Sequence, residues 1–135
     1  MKLLFKVNQP IGVVFDYLTD MQKFVSVHPV ITAIDEINEN NYLVHETLKF
    51  GFVPFSFIYK ASIEKDFINK KILMKAIVMK SIKIEMTYIL SADAGLTNIN
   101  ETIIFKSHLP VKSIMENIFR KQHTKLFKNI EAIHR

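Results

Sequence analysis

The chain has 135 residues, 49% of them hydrophobic and 23% charged, with 18 Lys and Arg against 13 Asp and Glu for a formal net charge of +5. This is the composition of one folded domain over residues 1–135, and it excludes a disordered or low-complexity protein. Cysteine is absent, so disulfides, thiolate nucleophiles and cysteine-ligated metals are excluded as well.

Residues 2–7 alternate, with Leu3, Phe5 and Val7 on one face, and predict a strand. The apolar part of MKLLFKV is too short, and too soon followed by Asn8, Gln9 and Pro10, to predict a signal peptide. Together with the lack of cysteine this makes a cytoplasmic location the expectation. Gln9-Pro10 then opens a helix, because proline is tolerated at the first helical position and Ile11, Val14, Phe15 and Leu18 follow at helical spacing. A second short helical turn is expected over 20–24. It ends before His28-Pro29, where proline restricts its predecessor.

A β-meander follows, with strands predicted over 30–37, 42–50, 55–66, 71–79, 83–92 and 98–107. The joints are NENN (38–41), GFVP (51–54), INK (68–70), KS (80–81) and DAG (93–95), short enough to make neighbouring strands antiparallel. After Pro110 the apolar period becomes 3.6, through Val111, Ile114, Met115, Ile118, Phe119, Leu126, Ile130 and Ile133. That predicts an amphipathic helix of about 24 residues, ~36 Å long. No apolar run approaches the ~20 residues of a membrane span.

This order of elements, the phrase VNQPIGVVFDYLTDMQKFVSVHPVI and the closing helix resemble the SRPBCC or START-like superfamily, which includes polyketide cyclases, coenzyme-Q-binding proteins and the birch-pollen-allergen-like proteins. The resemblance covers the whole chain and is most recognisable in the first 31 residues. It implies an α+β helix-grip fold: a curved seven-stranded antiparallel sheet around the long C-terminal helix, with two short helices between strands 1 and 2. It also implies a ligand cavity between sheet and helix.

If each strand's more apolar side points inward, the second meander strand contributes Tyr42, Val44, Glu46, Leu48 and Phe50, and the third Phe55, Phe57, Tyr59, Ala61 and Ile63. The fifth contributes Ile84, Met86, Tyr88 and Leu90, and the sixth Ile99, Glu101, Ile103 and Phe105. Two carboxylates, Glu46 and Glu101, thus fall on an apolar face, where each needs a partner, a hydrogen bond or a proton. A local bulge or a position near water at a sheet end accounts for them structurally. The functional account is that one of them, with Tyr59 or Tyr88, fixes a polar group of a mostly apolar ligand. In the superfamily's strand order the two lie on well-separated strands, as two ends of a pocket rather than a dyad.

Of the five histidines, His28 sits where the second helix hands over to a strand and His45 falls on the outer face. His108 precedes the last helix, and His123 and His134 lie on it, too far apart to share one ion directly. No HExxH or HxH motif and no cysteine partner exists, so no metal is expected. Three glycines, Gly12, Gly51 and Gly95, make neither a P-loop nor a dinucleotide fingerprint, and no nucleophile elbow occurs. No cofactor is expected. The basic residues Lys112, Arg120, Lys121, Lys125, Lys128 and Arg135 lack interleaved aromatics and read as a solvated helix face, so nucleic acid is not an expected partner.

Two functions follow. The first is a non-catalytic carrier or sensor of a lipid, isoprenoid, quinone or polyketide-like molecule, held by Glu46, Glu101, Tyr59, Tyr88, Phe57, Met86, Phe105, His28, Met115 and Phe119. Met74, Met79 and Met86, if inward, form an adaptable wall. The second is a cyclase or dehydratase with Glu46, Glu101, His28 and Tyr88 as the acid–base candidates. The stretch KFGFVPFSF (49–57) adds a question of partner. The 51–54, 80–81 and 107–110 joints must share one end of the sheet, so Phe52 and Val53 lie near Lys80, Lys106 and Lys112. Either Phe52 folds back to plug the barrel end, or this end is a mouth where Phe52 and Val53 touch a membrane or act as a lid.

Overall fold

The computed structural model describes residues 1–134. Arg135, and the side chain of Phe50 that the alternation puts on the inner face, lie outside the described residues. Strand β1 (Lys2–Val7) leads into helices α1 (Ile11–Thr19) and α2 (Met21–Val27). Six strands follow, β2 (Ile31–Asn38), β3 (Asn41–Phe50), β4 (Val53–Asp66), β5 (Lys71–Val78), β6 (Ile82–Asp93) and β7 (Leu96–Lys106), and then helix α3 (Lys112–Glu131). All pairings are antiparallel, and the order across the sheet is β1-β7-β6-β5-β4-β3-β2.

Local chemistry sets the element ends. Pro10 caps α1 in an extended conformation, one position before the helix proper. Asp20 ends α1 and caps α2, its Oδ1 accepting from the N–H groups of Gln22 and Lys23 at 3.1 and 3.2 Å. His28 stops α2, and its Nδ1 accepts from the N–H groups of Val30 and Ile31 at 3.2 and 3.1 Å. The long helix is 20 residues, shorter than the apolar period predicts. It stops because Gln9, buried, donates from Nε2 to the carbonyls of Ile130, Glu131 and Ile133 at 3.3, 3.1 and 2.8 Å. Thr97 Oγ1 in turn donates to the Gln9 carbonyl at 2.7 Å. A side chain from the first loop therefore seats the last helix.

The β3–β4 turn is tighter than the GFVP motif suggests. Phe50 pairs with Val53 and Lys49 with Pro54, which leaves only Gly51 and Phe52 in the turn. Gly51 has φ +64°, where a side chain would be strained. Pro54, which has no N–H to give, is accommodated because β4 meets β5 only from Lys60 onward. On the other side, β2 reaches no further along β3 than Glu46, with one more bond from Thr47 N–H to the Val30 carbonyl. From Leu48 to Ile58 the hairpin is a two-stranded ribbon that projects past both neighbouring strands.

The core has two parts. The larger joins both short helices, the sheet and the C-terminal half of α3 through Leu126, Phe127 and Ile130. The smaller, built on Leu3, Ala76, Ile84 and Ile103, lies beneath the N-terminal half of α3, where Met115 and Phe119 are only partly buried. We expect Gln9→Ala to lower stability by about 1–3 kcal/mol, because the part-buried carbonyls of Glu131 and Ile133 lose their Gln9 donor, while that of Ile130 keeps the Ile133 N–H. A urea midpoint unchanged from wild type would show that Gln9 does not seat the helix.

Candidate functional site

Two adjoining chambers lie between the sheet and α3. The outer one has a volume of about 220 Å³ and is walled by Leu48 and Phe57 of the ribbon, Val78, Ile82, Ile84 and Met86 of β5 and β6, and Val111 to Phe119 along α3. The inner one is about 50 Å³ and reaches Phe24 of α2, His28 at its C-cap, Ile31, Val44, Ile63, Tyr88 and His123. Glu46, Tyr59, Ala76, Met86, Phe119 and Gln122 line both and form the throat between them. Apart from Glu46, Tyr59 and Gln122, the outer chamber presents only apolar side chains.

The polar groups are concentrated at and beyond the throat. Tyr59 donates its hydroxyl to Glu46 Oε1 at 3.1 Å. Burial raises the Glu46 carboxyl above the usual carboxylate range, while the Tyr59 hydrogen bond and the nearby His123 pull it back down. Burial, then the Glu46 charge, hold the Tyr59 hydroxyl well above its ordinary value. Burial, then His123, push the His28 imidazole down to about 3. With Nδ1 engaged by two backbone N–H groups, His28 is neutral with its proton on Nε2.

Behind the inner chamber lies a fully buried pair. Glu101 Oε2 of β7 is 2.6 Å from His123 Nδ1 of α3. Neither Glu101 oxygen nor His123 Nδ1 has an aligned hydrogen-bond partner, so the two groups face each other at close range without a linear bond. Tyr88 is the cross-strand neighbour of Glu101, and burial followed by the Glu101 charge holds its hydroxyl well above the ordinary value. Glu101 is thereby matched by an imidazole, whereas Glu46 has only the Tyr59 hydroxyl in hydrogen-bond contact.

The ten residues named from the sequence do not all meet at one surface. Glu46, Tyr59, Met86 and Phe119 lie at the throat, Phe57 and Met115 in the outer chamber, and His28 and Tyr88 in the inner one. Glu101 and Phe105 line neither chamber. Glu101 points inward but stands behind His123, and Phe105 packs against the Phe119 ring at 5.4 Å. Met79 lies in the β5–β6 turn rather than on a strand, at the outer chamber's rim. Gln122 and His123 are the site residues that sequence reasoning missed. The signal was present: Phe119, His123, Leu126, Phe127 and Ile130 share one helical stripe, so His123 occupies a core position.

The outer chamber opens between the β5–β6 turn and the start of α3, with Leu48 and Phe57 at the base of the ribbon on its third side. Met79 and Ile114, both more than half exposed, stand at its rim. Phe52 is completely exposed and Val53 largely so. Phe52 does not fold back as a plug.

No family model matches the chain, and no curated protein matches it. Solved structures do. Ara h 8.0201 superposes with a TM-score of 0.79 over 97% of this chain and 93% of its own, at 15% identity. The START-like helix-grip fold is the fold of this chain. The di-domain ARO/CYC BexL from the BE-7585A biosynthetic pathway matches with a TM-score of 0.81 at 12% identity, and this chain spans 46% of its length. A START superfamily protein from Mycobacterium smegmatis matches with a TM-score of 0.74 at 10% identity, covering 97% of this chain and 93% of that one.

The buried groups carry two predictions. Because folding depresses the His28 pKa from 6.5 to about 3, its contribution to stability is complete above pH 6.5 and is lost as pH falls toward 3. His28→Asn keeps an acceptor for the two N–H groups but cannot titrate. Between pH 7 and 5 the wild type should lose about 2 kcal/mol more than this variant in urea titrations, and parallel pH curves would contradict the assignment. His123→Leu should cost about 3–5 kcal/mol by stranding the buried Glu101, and His123→Leu with Glu101→Leu should recover most of it. Additive losses in the double variant would show that the two groups are not coupled.

Proposed function

We propose that this protein binds and carries a hydrophobic small molecule, such as a lipid, an isoprenoid or quinone, or a polyketide-like ring, in the two chambers between the sheet and α3. The observation that carries this reading is the distribution of polarity: an apolar outer chamber of about 220 Å³ ending at a throat where Glu46, Tyr59 and Gln122 are its only polar side chains. An interior of this kind receives an apolar body and addresses one polar end. The fold likeness to a START superfamily protein and to ARO/CYC proteins supports the same class of ligand. The reading includes a cytoplasmic setting and transient membrane contact through Phe52 and Val53.

The throat favours a ligand end that donates a hydrogen bond. Glu46 Oε1 already accepts from Tyr59, and the nearest imidazole is taken up by Glu101. An alcohol or amine satisfies Glu46; a carboxylate is repelled by it. A second reading, an acid–base enzyme of the cyclase or dehydratase type, is favoured by His123, which lines the inner chamber and is positioned from behind by Glu101. Mass spectrometry of the purified protein separates the two, because a carrier retains a ligand and an enzyme releases its product.

The test is displacement of an environment-sensitive apolar fluorophore by decanol, decylamine and decanoate. The alcohol and the amine should displace it at least about tenfold more effectively than the acid at neutral pH, and Glu46→Gln should narrow that difference. Failure of the fluorophore to bind, or decanoate as the strongest competitor, would overturn the reading.

A further inference from the structure

We propose that the open end of the outer chamber is a docking face for an anionic lipid bilayer. The end is built by three segments that antiparallel topology brings together: residues 47–57 around the β3–β4 turn, 78–84 around the β5–β6 turn, and 103–115 linking β7 to α3. These segments expose Phe52 completely, and Val53, Met79, Leu109 and Ile114 by more than half. They contain five lysines, Lys49, Lys80, Lys83, Lys106 and Lys112, and no Asp or Glu. All five are exposed, and among the described residues none takes part in an ion pair.

Fold stability does not account for this arrangement. Lys83 and Lys106 are direct cross-strand neighbours on the outer face of β6 and β7, a like-charge pairing that weakens a sheet. Glu46, Glu85 and Glu116 lie one residue beyond these segments, Glu116 one helical turn from Lys112; at the opposite turns Glu39, Asp66 and Asp93, with Asp20 at the α1–α2 junction, are mixed with Lys65, Lys70 and Lys71. The open end thus presents exposed lysines in excess of its flanking carboxylates, which favours approach to an anionic surface.

The pattern of apolar tip and cationic surround chooses the occupant. A water-soluble acidic partner leaves Phe52 and Val53 unexplained, and a second copy of this chain set face to face opposes lysine with lysine. A bilayer with anionic headgroups takes up both features, the apolar tip at the acyl boundary and the ammonium groups at the phosphates. The ribbon from Leu48 to Ile58, free of strand neighbours on both sides, holds that tip clear of the body. Docking in this orientation sets the chamber's opening on the membrane. This last step rests on the ligand-binding reading; the docking geometry does not.

The experiment is co-sedimentation of the full chain with vesicles of phosphatidylcholine alone or mixed with phosphatidylglycerol. Partitioning should be strong only on the anionic vesicles, fall as salt rises, and drop at least about tenfold for Lys80→Glu with Lys112→Glu. Phe52→Ser with Val53→Ser should lower it by a similar factor with an unchanged melting temperature, since both side chains are exposed. Phe67→Ser with Ile68→Ser, an exposed apolar pair at the opposite end, should leave it unchanged. No sedimentation on anionic vesicles, equal sedimentation on neutral ones, or equal loss from the opposite-end variant would each overturn the proposal. Dimerisation without vesicles that Phe52→Ser with Val53→Ser abolishes would overturn it too, by assigning the face to a second copy. Fluorophore binding measured without vesicles separates the two ideas, because the chambers can bind their probe whether or not the face docks.

Discussion

The fully buried contact between Glu101 and His123 constrains where the long helix lies on the sheet, and the rest of the interior follows from that placement. A carboxyl and an imidazole removed from water are tolerable only while they face each other. If α3 slid by one turn, about 5.4 Å, it would strand both groups, so the helix has one register. Gln9 holds the same helix at its C-terminal end. C-terminal to His123 the packing is dense, with Leu126, Phe127 and Ile130 buried; N-terminal to it, Met115, Ile118 and Phe119 are only partly covered, and the space between helix and sheet becomes the outer chamber. One helix thus serves as core at one half and as chamber wall at the other.

This explains which parts of the molecule were legible in the sequence. Strand faces were, because alternation is a property of the strand itself: Glu46 and Glu101 both point inward, with Val44, Tyr59, Tyr88 and Ile103 on the same face. Turn positions were legible to within a residue or two, and the turn itself is shorter than the GFVP joint because Val53 and Pro54 pair within a ribbon that outruns its neighbours. The Glu101 partner was not legible. His123 is 22 positions away on an element of different period, and only the curvature of the sheet decides which helix position faces β7. The chambers were equally out of reach, since their volumes depend on how far α3 stands from the sheet rather than on any residue's identity. The fold likeness supplied the expectation of a cavity; alternation alone describes a filled core just as well.

The throat shows how the interior divides its polar residues by role. Glu101 is satisfied within the protein by His123 and lines no chamber, so its contribution is to placement. His28 is committed to two backbone N–H groups and is held neutral, which makes it a structural cap with one ring nitrogen left to face the inner chamber. Glu46 differs from both. Its single hydrogen bond comes from a side chain that itself lines the chambers, and burial keeps its carboxyl above the usual range. A group so placed has unfilled accepting capacity at the boundary between an apolar space and a polar one, and that is where a ligand's polar end is recognised.

The open end of the barrel has a different physical character from the throat. Its β5–β6 turn holds two consecutive side-chain-bearing residues, Met79 and Lys80, in the left-handed region at φ +53° and +64°. Asparagine and glycine adopt that conformation at less cost than methionine and lysine do. The turn therefore carries a local penalty, to which the like-charged Lys83–Lys106 pairing and the uncovered Phe52 add theirs. The strained turn aims Met79 at the chamber rim and leaves Lys80 exposed. Each departure taken singly would be an accident of one hairpin. Together they keep exposed apolar and cationic side chains at one end of the sheet, while the cheaper residues for each position would remove either the grease or the charge. On the docking proposal, a surface with an apolar tip and surrounding lysines, unfavourable in water, becomes favourable at an anionic lipid interface, and the three local penalties then share one origin.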